Sequence, residues 1–333
     1  MKRVVVPSFE AFSELIEFGR TLERETDLCL DFSKLGFAKP SGMVLLSQLI
    51  SRAVSRGKVA SFTNAGSRSY PANMGFYEAC GLDVERAVAR GGVNYLPLQR
   101  VDLNRWRDLA DSNNQPYGAY VDQRVGRLAY VITREARGDL FDLVKYCMRE
   151  VVRNALEHGG GDSLWVCGQF WPQRNEVELT IYDNGMGIRK GLRSNPSFAS
   201  LVSDRDAIRL AILPSMSGKK VYKDRSDISR DDGDGPWSNS GFGLYITSQL
   251  ARECGFFVLG SGDSIQQLSG NSKSDREFGL NGSYISMRFD VSELQRTAKR
   301  VEEIASKGEG FAKRHFAAGA EVLASAASKF IVQ

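Results

Sequence analysis

The chain has 333 residues, enough for about two domains, and 42% of them are hydrophobic, as ordinary packed interiors require. A net charge of +4 is small for this length and gives no ground for a nucleic-acid partner. Cys29, Cys80, Cys147, Cys167 and Cys254 form no CxxC pair, and only His158 and His315 are available, so neither a structural zinc site nor a histidine-rich metal centre is expected. The mostly apolar contexts of the cysteines point to reduced, buried thiols in a cytoplasmic protein.

From the N-terminus, Met1 to Pro7 has two basic residues, but its apolar run stops at once, unlike a signal peptide. No run approaches the roughly 20 apolar residues that cross a bilayer, so no membrane association is expected. Lys2 to Val6 reads as a strand, Phe9 to Leu22 as an amphipathic helix and Leu28 to Phe32 as a second strand. A helix follows Ser41-Gly42, with Val44, Leu45, Leu49, Ile50 and Val54 on its apolar face. Lys58 to Thr63 makes a strand and Met74 to Cys80 a short helix. This alternation predicts an α/β domain over residues 1–90.

The pattern resembles the STAS domains of anti-sigma-factor antagonists and sulfate transporters. The likeness rests on Leu30-Asp31-Phe32-Ser33, on Pro40-Ser41-Gly42 opening a leucine-rich helix, and on the strand from Val59. In signalling members of that family a serine just before the glycine accepts phosphate, which would fall on Ser41. Here Lys39 and Pro40 replace the usual preceding acid, and a helix N-cap is the preferred role for Ser41.

Residues 91–137 carry no chemical motif and read as a connector or as the start of the next domain, with a strand near Tyr95–Leu98 and a loop at 112–116. Beyond them, Leu140, Val144, Cys147, Val151 and Ala155 recur at helical spacing, in a helix that ends near the glycines at 159–161 and presents Glu150 and Asn154 on one face. A carboxylate and a carboxamide one turn apart supply a proton acceptor and a neutral oxygen ligand for Mg²⁺. The alternating strand Val177–Tyr182 then ends on Asp183 and breaks into Gly185 and Gly187, where a carboxylate can accept from a purine amino group and the glycines let backbone approach the ligand.

Glu150-x-x-x-Asn154-Ala155 resembles the N-box of the GHKL ATPases, the group of gyrase B, the ninety-kilodalton chaperones, histidine kinases, mismatch-repair ATPases and anti-sigma serine kinases. Asp183-x-Gly185-x-Gly187 resembles their first glycine box, and Ser240-Gly241-Phe242-Gly243-Leu244 their second, whose amides hold phosphates at a helix start. The resemblance implies a GHKL domain over 138–292, an α/β sandwich of the Bergerat type with a mixed sheet and helices on one face. It implies an ATP lid over 214–240, from which Lys219 would reach a phosphate, and a closing strand Gly282–Phe289 whose Ser283 helps Asp183 hold adenine. A single helix over Phe198–Leu213, two strands at Phe256–Leu259 and Ile265–Leu268, and a helical tail over 293–333 complete the reading. Neither a P-loop nor a Rossmann fingerprint fits, since Leu213, Lys220 and Lys190 occupy required positions.

The resemblance implies an enzyme that takes ATP and Mg²⁺, with Asn154 on the metal and Glu150 polarising the attacking water. Its lid would close on ATP and switch contacts with a protein partner or a second subunit. The alternatives are a serine/threonine kinase or partner-switching regulator of anti-sigma type, to which Asn154-Ala155-x-x-His158-Gly159 is similar and which would act on a STAS-like domain, and a nucleotide sensor without turnover.

Overall fold

The computed structural model describes residues 1–8, 12–66, 69–84, 94–218, 241–294, 296–315, 324 and 326–329. The first half runs β1 (Lys2–Val5), α1 (Phe12–Arg24), β2 (Leu28–Asp31), α2 (Pro40–Ser55) and β3 (Val59–Thr63). The three strands pair in parallel in the order β1-β2-β3. Where one short helix is expected from Met74, the chain makes two single turns, α3 (Tyr70–Asn73) and α4 (Phe76–Ala79). Gly75, at φ +77°, breaks the path between them. Ser41 is not the N-cap of α2: Lys39 holds that place, Pro40 is the first helical residue and Ser41 the second.

The second half continues with β4 (Tyr95–Asp102), α5 (Leu103–Ser112), α6 (Tyr117–Thr133), α7 (Asp139–Asn154), β5 (Ser163–Trp171), β6 (Glu176–Asp183), α8 (Ile188–Arg193), α9 (Asp204–Ala211), α10 (Gly243–Cys254), β7 (Gly255–Ser269), β8 (Ser272–Asp290), α11 (Thr297–His315) and α12 (Ala326–Lys329). The five strands lie in the order β4-β5-β6-β8-β7. Each neighbouring pair is antiparallel, so the sheet is not mixed as the sequence resemblance implies. The reason is local: β5 turns directly into β6 at Pro172–Arg174 and β7 into β8 at Gly270, which leaves those neighbours no room for a parallel crossover. β4, α5 and α6 belong to this sheet and its helical layer.

Two further expectations change. The helix expected over Phe198–Leu213 is a short 3₁₀ turn followed by α9, because Asn195 accepts from Ser197 N–H at 3.0 Å and Ser203 from Asp206 N–H at 3.2 Å, each capping its own start. The two strands expected between Phe256 and Leu268 are one continuous β7, bent by register shifts between Ser261 and Ser264.

The pleat sorts the second sheet into two faces. Leu164, Val166, Val177, Leu179 and Ile181 join the core under α6, α7 and α10, while Cys167, Tyr182, Val258 and Tyr284 join the core of the first half. Between them α2 carries Met43, Val44, Leu45 and Leu46, four consecutive residues all fully buried; since such a run points round the helix, it has to be covered on more than one side. Its apolar residues share one core with Leu28 and Leu30 of β2, and its backbone runs against β5 and β6. Among the described residues, no helix is long and apolar enough to cross a membrane. The five cysteines are free thiols, four of them buried.

Candidate functional site

The apolar periodicity that makes α7 a helix also packs it on nearly every side, since Leu143, Val144, Cys147, Met148 and Val152 are all buried. At its end the backbone widens into a π turn over Ala155–Gly159 before Gly160 leaves at φ +61°. Such turns recur at functional sites because they redirect side chains locally. Asn154 sits at this junction and faces a cleft.

Asp183, the last residue of β6, lies in register with Ser283 of β8 at the floor of the same cleft. It still shows surface to the cleft, but protein surrounds it, and that desolvation pushes its carboxyl up to about 6. The Gly185 N–H, donating to Oδ1 at 2.8 Å, and hydrogen bonds from Ser283 oppose the rise. A carboxylate held this way has acceptor capacity left over for a ligand amine.

The third wall is the start of α10. Gly243 and Leu244, the first residues of this 12-residue helix, line the cleft, and among the described residues no side chain caps its N-cap residue Phe242. The cleft encloses about 740 Å³, open mouth included, and is lined mainly by apolar atoms from Val151, Ala155, Ile188, Leu192, Leu259 and Ile285. An apolar lining with a few convergent polar groups is the chemistry of a small-ligand site.

Of the residues singled out in the sequence, Asn154, Asp183, Gly187, Gly241, Gly243, Leu244 and Ser283 line this cleft. Gly185 does not. It supports the site from behind, where a Cβ would lie 2.1 Å from the Gly159 carbonyl oxygen. Lys219 and positions 219–240 of the expected lid lie outside the described residues, whereas Met216, Ser217 and Gly218 line the cleft.

Glu150 does not reach the cleft. It is fully buried, its Oε2 accepts from Arg153 and its Oε1 from Arg149 Nη2 at 3.3 Å. Only Gly243 separates it from the cavity: a Cβ there would lie 1.9 Å from Glu150 Oε2. The expectation that Glu150 and Asn154 share one open face is therefore corrected. The helix turn places them together, but two arginines pair with the Glu150 carboxylate and Gly243 stands against it, which keeps it inside the protein.

Sequence reading missed Ser261, the buried serine that ties two walls of the cleft. Its hydroxyl accepts the Ile188 N–H at 2.9 Å, at the start of α8, and donates to the Gly282 carbonyl at 2.8 Å. The Ser261-Gly262 pair carried a signal, a glycine inside a strand marking a bulge. Arg153 was missed as well, and on a helix it reads as an ordinary exposed cation.

Among the described residues, no group of three His, Cys, Asp or Glu could hold a metal ion by itself. Asn154 lines the cleft, and its single carboxamide oxygen would hold Mg²⁺ only as a metal shared with phosphates of a bound ligand. Compared with protein-family models, with curated proteins and with solved structures, the chain gives no match.

Proposed function

We propose that the chain binds adenine nucleotide in this cleft and hydrolyses ATP in the manner of the GHKL ATPases its motifs resemble. The observation that carries the reading is convergence: Asp183, Asn154 and the start of α10 come from segments far apart in the chain and meet at one apolar cleft. Asp183 accepts the purine amino group, which an apolar floor then selects for. The amides at the start of α10 take the phosphates. Asn154 would hold Mg²⁺ jointly with those phosphates, and the metal would supply charge neutralisation. Hydrolysis forms a bond from water oxygen to the terminal phosphorus and breaks the bridging oxygen–phosphorus bond. ADP leaves, and the water's proton passes to Glu150 on α7, which would first have to be released from Arg149 and Arg153. Occupancy of the cleft would be coupled to contacts with a partner or second subunit.

One observation favours a second reading, a nucleotide sensor with little turnover: Glu150 is paired with two guanidiniums and lies behind Gly243. The kinase alternative would need a substrate from another molecule. Ser41 packs on the face of β6 that carries Glu178, and the cleft lies on the face that carries Asp183. Incubation with γ-labelled ATP tests all three. Free phosphate is expected, labelled protein would move the reading to a kinase, and binding without release of phosphate would leave the sensor.

A further inference from the structure

Arg153 is 1% exposed, and two of its donors, Nε and Nη1, are buried without a hydrogen-bond partner. Leaving donors of a buried cation unused is costly, so the arrangement is held by something else. Its third donor, Nη2, is shared between Glu150 and the hydroxyl of Ser328, the latter at 3.4 Å. Ser328 comes from α12, is fully buried, and its carbonyl accepts from the Tyr146 hydroxyl at 2.9 Å. Tyr146 stands one turn before Glu150 on α7, and the Arg149 guanidinium lies over its ring.

A single residue of α11 secures this segment at both ends. Glu309 accepts the Ala324 N–H at 2.9 Å and pairs with Lys329 Nζ at 2.6 Å. The C-terminal segment thus packs on Arg153 through Ser328 and on Tyr146, and helps keep water from the Glu150–Arg153 pair. Once two opposite charges are shut off from water, separating them is costly, because each is then left buried without its partner.

Resting on the nucleotide reading above, we propose that Arg153 sets whether Glu150 can act, and that the C-terminal segment carrying Ala324, Ser328 and Lys329 is an internal brake that holds Arg153 on it. With the segment in place, Arg153 and Arg149 occupy the Glu150 oxygens. With it withdrawn, water reaches the pair, Arg153 can satisfy its unused donors elsewhere, and Glu150 is freed to turn past Gly243 toward the cleft. Arg153 is a positioning residue here, acting through Glu150.

The test uses the full-length chain. Lys329→Glu sets like charges against Glu309, and Tyr146→Phe removes one hydroxyl while keeping the ring. ATP affinity is read by calorimetry and hydrolysis in single turnover. The brake requires that Lys329→Glu, alone and with Tyr146→Phe, speeds hydrolysis by about fivefold or more while ATP affinity stays within about twofold. Reversing the pair, Glu309→Lys with Lys329→Glu, should bring the rate back toward wild type. Unchanged or slower hydrolysis at intact ATP affinity in both Lys329→Glu proteins overturns the brake and leaves the nucleotide reading standing. Absence of ATP binding in the wild-type protein overturns both.

Discussion

The carboxylate of Glu178, on β6, accepts the backbone N–H of Ser41 at 2.8 Å, across 137 residues of sequence. Helix α2 has no acidic residue in its first turn and no side-chain cap of its own, so its exposed amide end is completed by the other half of the chain. The Tyr284 hydroxyl adds a second tie, donating to the Ser41 carbonyl at 2.9 Å. The seam between the halves is specified by polar geometry as well as by apolar area.

Replacing Glu178 tests that seam. Glu178→Ala should cost about 1–3 kcal/mol by orphaning the Ser41 amide, whereas Glu178→Gln, which keeps an acceptor, should stay within about 1 kcal/mol of wild type. Burial pushes the Glu178 carboxyl above its ordinary value, its largest influence, and the Ser41 hydrogen bonds only partly offset it. A raised carboxyl pKa means that the ionised form costs stability above the folded pKa, a cost relieved as pH falls through it. Denaturant titrations of wild type and Glu178→Gln should therefore converge toward acid pH. Parallel curves from neutral to acid pH would contradict the assignment.

Asp183 sets the pH response of binding. With its carboxyl pushed up to about 6 in the ligand-free cleft, ATP affinity should rise as pH increases through that value and level off above it, because a charged acceptor pairs more strongly with an amino group. Asp183→Asn should weaken ATP binding by roughly 1–3 kcal/mol and remove the pH dependence. Calorimetry between pH 5 and about 8 decides it; unchanged affinity in a folded variant would show that adenine is not held there.

Gly185 is expected to be intolerant of any side chain. A Cβ would meet the Gly159 carbonyl oxygen at 2.1 Å and its carbon at 2.6 Å, backbone atoms that the Met186 N–H already holds through a 2.6 Å hydrogen bond. Gly185→Ala should lower stability by about 1–3 kcal/mol and weaken ATP by about tenfold or more, through displacement of the loop beside Asp183. Paired thermal melts and binding isotherms would expose an error if both match wild type.

Glu150 and Asn154 separate chemistry from binding. Glu150→Gln should keep ATP and lose turnover, and Asn154→Ala should lose Mg²⁺-dependent affinity as well. Glu150→Ala is a poorer probe, since it leaves Arg153 and Arg149 buried beside a void and should cost about 3–5 kcal/mol of stability. Equal hydrolysis rates in wild type and Glu150→Gln would remove Glu150 from the chemistry.

Much of the cleft was readable because its residues come in contiguous groups whose spacing matches an element: Asn154 at a helix end, Asp183 at a strand end, Gly243 at a helix start. What was not readable depends on pairing between distant segments. Glu178 looks like the polar half of an alternating strand, and only the arrival of α2 buries it. Arg153 looks like a surface cation until Ser328 covers it. The helix expected after Phe198 failed for a local reason, because its apolar periodicity continues past Ser203 although the capping hydroxyl there starts the helix anew.

The outer face of the antiparallel sheet bears on how the chain can be divided. Cys167, Val258, Ile265 and Tyr284 on that face are nearly free of solvent only because the first 84 residues lie over them. A fragment beginning at residue 94 would bare a contiguous apolar surface of the kind that drives precipitation. Asp183 and Asn154, on the far side, would keep their surroundings. Such a fragment should come out of solution in the absence of detergent, and recover nucleotide binding when the outer face is shielded or its apolar residues are exchanged for polar ones; the first half of the chain then serves as a solubilising shield, with the ligand chemistry left to the second.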